Sequence, residues 1–368
     1  MNDSDAVSCK PTWTWIVPLA AAFLTLARFL LPTTTGGTAI LLDTVTLVTL
    51  LATVFASVYH AEIVAHSLGE PYGSLVLAGA VTVIEVALIV SVMLSGADGV
   101  SSIARDTVFA AVMIVLNGIV GLCLLSGGIR HYKQGFQVQG ATGALGVIGT
   151  LATLALILPN YTEAVPGPIY SSTQLFFVAA VSLALYGLFL FVQTNRHRED
   201  FLDVAGDHSG VHAPTPARTA VAASWLLLFI GLLCVILLAK SLTPSIESTV
   251  QVAGLPPAFV GVVIAVIVLL PEGLSALRAA RSNNLQTSLN LALGSALASI
   301  GMTIPAVAGV SLLMEVPIML GLEAEHIVLL VLSLFISTLT LATGRTTVLQ
   351  GGLHLVIFTA FLVIAADP

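Results

Sequence analysis

Charge is what this sequence has least of. Of its 368 residues only 8% are Asp, Glu, Lys or Arg, against about 25% in an ordinary soluble domain. That scarcity excludes a soluble globular fold. The formal net charge is −7 and no basic patch occurs, so no nucleic-acid partner is expected. Cysteine is equally sparse. Cys9, Cys123 and Cys234 show neither metal-site nor disulfide spacing, and two of them fall inside apolar runs, where a free thiol packs as a small core residue. No GxxxxGK[ST] phosphate loop is present, which argues against ATP-driven transport on this chain. HExxH and GxSxG are also absent, no two carboxylates stand close in sequence as an aspartic protease needs, and no cofactor motif occurs. An enzyme is therefore not expected, and neither is a bound cofactor.

Apolar length is what the sequence has instead. Hydrophobic residues make up 57% of the chain and the mean hydropathy is +1.04. Runs of about 20 apolar residues match a hydrocarbon core of ~30 Å when helical. A β-barrel would alternate apolar and polar residues, and these runs are continuous. The chain therefore reads as an all-α polytopic membrane protein with eleven spans, at 12–32, 38–58, 72–95, 107–128, 142–159, 173–194, 219–240, 256–277, 287–313, 325–343 and 347–366. The first lacks a basic leader and a small-residue cleavage site and is read as a retained helix.

Lys and Arg placement orients the spans. With a cytoplasmic N-terminus, nine basic residues lie inside (Lys10, Arg130, Lys133, Arg196, Arg198, Arg218, Arg278, Arg281 and Arg345) and two outside, Arg105 and Lys240. Eleven crossings then place the C-terminus outside. The long polar loop 195–218 divides the chain into a first repeat, 38–194, and a second, 219–368, with 1–37 as an extra N-terminal helix. Five helices apart means opposite direction, which is the mark of an inverted-topology repeat, an architecture that holds its ion site near the midplane.

Two acids stand in the middle of this apolar material. Glu85 is the only ionisable residue in 73–94, and Glu272 holds a similar place in 257–280. A charge at the centre of a membrane helix costs roughly 2.5–3.5 kcal/mol on insertion scales. The bland reading is a protonated Glu serving as interhelical glue; two acids on antiparallel helices favour a site. Thr82, three residues before Glu85, shares its helical face and can offer an oxygen. Pro271 removes one intrahelical bond and Gly273 loosens the same place, which predicts a helix break with freed carbonyls beside Glu272. Such oxygens suit Ca2+ or Na+, although a plain proline kink would leave the same trace. In the helix after each acid, Asn117, and the stripe Asn290, Ser295, Ser299 and Thr303, are candidate ligands, with close helix packing as the alternative for the serines and for Gly118, Gly121 and Gly294. The polar segment 59–74 carries His60, Glu62, His66 and Glu70; His66 and Glu70, with Asn283 in the matching turn 281–288, are access-path candidates, and a solvated amphipathic linker is the competing reading. His354 reads as a hydrogen-bonded interhelical residue.

The blocks HAEIVAHSLGEPYGSLVLAGAVTVIEVALI and LLPEGLSALRAARSNNLQTSLNLALGSALASIGMTIP resemble the two α-repeats of the calcium/cation antiporter superfamily. GEPYGSL, PEGL, GSALASIGMTIP and the Gly-Arg-Thr at 344–346 resemble its bacterial ChaA-type branch more narrowly. The resemblance runs from about residue 38 to the end. It implies two inverted five-helix repeats, with α-repeat regions at 59–128 and 256–313. It also implies a cation site whose paired acidic ligands fall on Glu85 and Glu272, with Asn117, Gly294 and Ser295 matching the family's polar positions. The implied activity is exchange of Ca2+, Na+ or K+ for protons across a bacterial inner membrane, with the lipid bilayer and small inorganic cations as partners and homo-oligomerisation left open. The Ca2+/H+ branch carries GNxxE before each acid; Thr82 and Leu269 stand where those Asn residues would be, so the site is sparser here. A passive channel with the acids as its selectivity site is the alternative.

Overall fold

A backbone surrounded by lipid must bond all its N–H and C=O groups internally, and continuous helices do this. The computed structural model describes residues 12–30, 37–69, 72–93, 102–202, 218–314 and 317–368. Eleven long helices account for most of them: α1 Trp13–Leu30, α2 Gly37–Leu68, α3 Tyr72–Met93, α4 Ile103–His131, α5 Val138–Tyr161, α6 Ser172–Arg196, α7 Arg218–Val252, α8 Phe259–Arg281, α9 Leu285–Met314, α10 Ala324–Leu341 and α11 Val348–Ala366. Exposed large apolar side chains such as Phe23, Phe29, Phe176 and Phe229 ring the bundle, the surface expected of an integral membrane protein.

The two halves mirror one another. The longest helices, α2 at 32 residues and α7 at 35, lead the two repeats and pack together. The acid-bearing helices α3 and α8 follow, and then α4 and α9, each interrupted by a π-helical turn, Ile114–Ile119 and Ser299–Thr303. The core is centred on α4, whose residues Ile103–Met113 are all buried. α1 lies outside the repeats and is held by polar contacts: Arg28 pairs with Asp43 of α2 and donates to the Ser241 carbonyl of α7 at 3.2 Å.

Two ends of the bundle are marked by pairings between distant segments. At one end β1 (Gln134–Gly135), after α4, pairs antiparallel with β2 (Arg345–Thr346), after α10, in the register Gln134↔Thr346. At the other, Leu322 N–H donates to the Leu156 carbonyl at 2.8 Å and Asn160 Nδ2 donates to the Leu322 carbonyl at 2.7 Å. An even number of crossings separates the members of each pair, as alternating spans require.

Three expectations need correction. The polar stretch 59–68 is not a linker but the continuation of α2, with Glu62 and His66 exposed on it and His60 buried. His60 bonds Ser224 Oγ at 3.1 Å and the Thr14 carbonyl at 3.0 Å, and so joins α1, α2 and α7. Lys240 is not in a loop, since α7 continues twelve residues past it to Val252, where Ser245 donates to Asp43 at 2.6 Å. And α8 is not broken: it runs as one α-helix through Pro271 and Gly273. Pro271 still withholds the N–H that would bond the Ile267 carbonyl one turn earlier, and Ile119 of α4 lies close over Gly273.

Candidate cation site

Glu85 and Glu272 approach one another from antiparallel helices, near enough to feel each other's charge. Their surroundings differ. Glu85 is only 2% exposed, and Ser299 of the α9 π-turn donates to its Oε2 at 2.8 Å. Thr303, one turn further along, faces the same carboxyl. A π-turn widens the helix by one residue and is frequent at functional sites; here it places two hydroxyls of the Ser295–Ser299–Thr303 stripe at one acid. Glu85 Oε1 has no hydrogen-bond partner.

Glu272 has none for either oxygen, although both are buried. Its carboxyl lines a cavity of about 170 Å³ that runs toward the β1–β2 end of the bundle, past Ser275, Ser295, Asn290 and Gln193. Ser295 Oγ is also without a partner. A third carboxylate, Glu62 of α2, lines the same cavity and adds its charge to the field at Glu272. Unbonded carboxylate and hydroxyl oxygens around one small space form a hard-oxygen donor set, the chemistry that Ca2+ and Na+ select.

The other sequence candidates fall in different places. Thr82 is buried beside Glu85's helix face and donates to Met302 Sδ at 3.6 Å, a contact that directs it to the α9 π-turn. Asn117 does not meet either acid. Its Nδ2 donates to Ser333 Oγ at 2.8 Å and its Oδ1 lies 3.2 Å from His354 Nδ1, so its amide is held by α10 and α11. His354 is the interhelical residue it reads as, with Thr340 Oγ1 at 3.2 Å on its other nitrogen. Gly294 lies in open space on the cavity wall. Asn283 forms the α8–α9 turn at φ 64°, with its Oδ1 accepting from Gln134 Nε2 at 3.1 Å, so it holds a turn and does not line the cavity. His66 is exposed on α2, and Glu70 lies outside the described residues. Gln193, Ser275 and Tyr186 were not singled out in the sequence; Ser275, one turn after Glu272 on the same face, carried the only spacing signal that would have found any of them.

The sequence profile of the sodium/calcium exchanger protein family matches residues 38–195 and 223–366, which correspond to α2–α6 and α7–α11. This chain belongs to that family, and is an integral membrane cation antiporter built as two inverted five-helix repeats plus one helix. It is 51% identical to y4hA of Sinorhizobium fredii over 361 residues, covering 97% of each chain. It is 36% identical to the sodium-potassium/proton antiporter ChaA of Escherichia coli over 328 residues, 88% of each. Among solved structures, native YfkE superposes with a TM-score of 0.72 at 17% identity, covering 96% of this chain and 99% of that one, and the H+/Ca2+ exchanger CAX with 0.68 at 14%, covering 95% and 88%. At those identities the likeness speaks for the fold.

Proposed function

We propose that this protein exchanges Ca2+, Na+ or K+ for protons by competition at Glu85 and Glu272. The observation that carries the reading is the unbonded Glu272 carboxyl on a cavity it shares with Glu62, Ser275 and Ser295, with Glu85 near enough to add its charge there. Protonated, the two acids are neutral and the carrier reorients cheaply. A cation that displaces the protons neutralises them again. The form with two bare carboxylates in the bilayer is the costly one, and that penalty couples the two fluxes. Two acids suit one divalent ion against two protons, or one Na+ with one proton retained. The relative named as a sodium-potassium/proton antiporter and the fold shared with an H+/Ca2+ exchanger support both cargo classes. Thr82 and Leu269 stand where the Ca2+/H+ branch carries Asn, and the smaller number of side-chain ligands supports breadth over strict Ca2+ selectivity.

The test is uptake of radiolabelled Ca2+, Na+ and K+ into everted vesicles under an imposed ΔpH. Glu85→Gln and Glu272→Gln each abolish uptake on this reading, and retained exchange in either variant removes that residue from the site. Downhill cation flux that needs no ΔpH and is unchanged by a protonophore, with no uphill uptake, would instead favour the channel alternative.

A further inference from the structure

At the end of the bundle opposite the Glu272 cavity, α10 begins with Glu323, Glu325 and His326 inside four residues. Donor atoms of the three lie within 4.8 Å of one another. His326 is only 7% exposed, and neither of its ring nitrogens has a hydrogen-bond partner. Its ring lies against Phe109 with centroids 4.9 Å apart. Buried polar groups are bonded almost without exception. The other buried histidines of the described residues obey that rule: His60 bonds Ser224 and Thr14, and His354 bonds Asn117 and Thr340. His326 is the exception.

Charge points the same way. His326 and Glu323 line a cavity of about 270 Å³ together with Arg105 and Asp106. The Arg105 guanidinium is already engaged: Nε donates to Asp106 at 2.7 Å, Nη1 to the Gly321 carbonyl at 3.1 Å, and Nη2 stands 3.6 Å from Glu323. One guanidinium among the carboxylates of Asp106, Glu323 and Glu325 leaves the corner negative, with two acids side by side and an imidazole with open nitrogens beneath them.

We propose that Glu323, Glu325 and His326 bind a divalent transition-metal ion of the zinc class. Ca2+ and Mg2+ take all-oxygen shells, whereas imidazole with carboxylates is the donor set of zinc and its neighbours. Donors on one zinc stand about 2.0–2.2 Å from the ion, so the carboxylates must draw in slightly. Glu323, half exposed and held to Arg105 only at 3.6 Å, is free to do so. The ion would tie the start of α10 to the loop whose Gly321 and Leu322 are bonded to the ends of α4 and α5. That would stiffen the rim opposite the cavity.

The experiment is equilibrium dialysis of the detergent-solubilised full chain with radiolabelled Zn2+, on wild type and on Glu272→Gln, Glu325→Gln and His326→Gln. The result expected is one saturable Zn2+ per chain in wild type and in Glu272→Gln, lost in Glu325→Gln and His326→Gln. Glu325 is only partly buried, so that variant reads the site even if His326→Gln folds poorly. No saturable binding in wild type, binding that survives both α10 substitutions, or binding lost in Glu272→Gln would each overturn the proposal; the last would assign the ion to the transport site.

Discussion

Ser299 is the residue that separates a cation site from structural glue. Its hydroxyl donates to Glu85 at 2.8 Å in a buried setting, and a hydrogen bond to a charged group is worth about 1.5–3 kcal/mol. Ser299→Ala should therefore weaken apparent cation affinity by roughly tenfold or more, since about 1.4 kcal/mol is one decade, while Ser299→Thr keeps the hydroxyl and much of the affinity. Concentration dependence of uptake in vesicles reads both. If Ser299→Ala lowers only the amount of folded protein and leaves the affinity unchanged, the bond is structural. Glu62 gives a second prediction. It faces the Glu272 cavity and contributes negative potential there, so Glu62→Gln should slow cation entry from that side without abolishing exchange. The deficit should shrink at high ionic strength, because exposed charges are screened over about 8 Å at physiological salt. The two acids were legible in the sequence because a lone charge in an apolar run is a signal carried by one residue. Asn117 was not, because its partners Ser333 and His354 stand more than two hundred residues away, and a polar residue on a buried helix looks alike whichever neighbour it faces.

At the scale of the helix, the fold depends on how closely α4 and α11 approach. A Cβ on Gly351 would fall 2.4 Å from the backbone nitrogen of Leu125, whereas one on its neighbour Gly352 would meet nothing within 4 Å. Gly351→Ala should destabilise the bundle by about 1–3 kcal/mol through overpacking, and Gly352→Ala should be silent. Thermal unfolding of the detergent-solubilised variants checks the pair, and equal midpoints would show that the helices do not pack at this distance. The number and order of helices could be read from apolar length alone. Their ends could not. α2 and α7 outrun their apolar spans because buried partners, Ser224 and Thr14 for His60 and Asp43 for Ser245, take the place of water for the polar residues beyond. At 1.5 Å per residue these helices are about 48 and 52 Å long, well beyond the ~30 Å hydrocarbon core. The π-turn in α9 was not legible because Ser295, Ser299 and Thr303 recur every four residues, a spacing that an uninterrupted α-helix also places near one face.

For the whole molecule, the end of the bundle that faces the cytoplasm decides which compartment the Glu272 cavity serves. The β1–β2 end carries Arg130, Lys133, Arg281 and Arg345, and the opposite end carries Arg105 among acids. The bias of Lys and Arg toward cytoplasmic loops predicts that the β1–β2 end, and with it the mouth of the Glu272 cavity, faces inward. Lys133 is exposed at that end and Tyr161 at the other. In a background with Cys9, Cys123 and Cys234 replaced by serine, Tyr161→Cys should react with a membrane-impermeant maleimide in intact cells, and Lys133→Cys only after permeabilisation. The reverse labelling would invert the molecule and turn the Glu272 cavity outward. The same substitutions also probe the cycle. If the two repeats move against each other to alternate access, saturating cation on one side should change the reactivity of a cysteine at Gln193 on the cavity wall, while Lys133→Cys on the rim stays constant. A Gln193→Cys rate that ignores cation and ΔpH would mean that this cavity does not open and close during exchange.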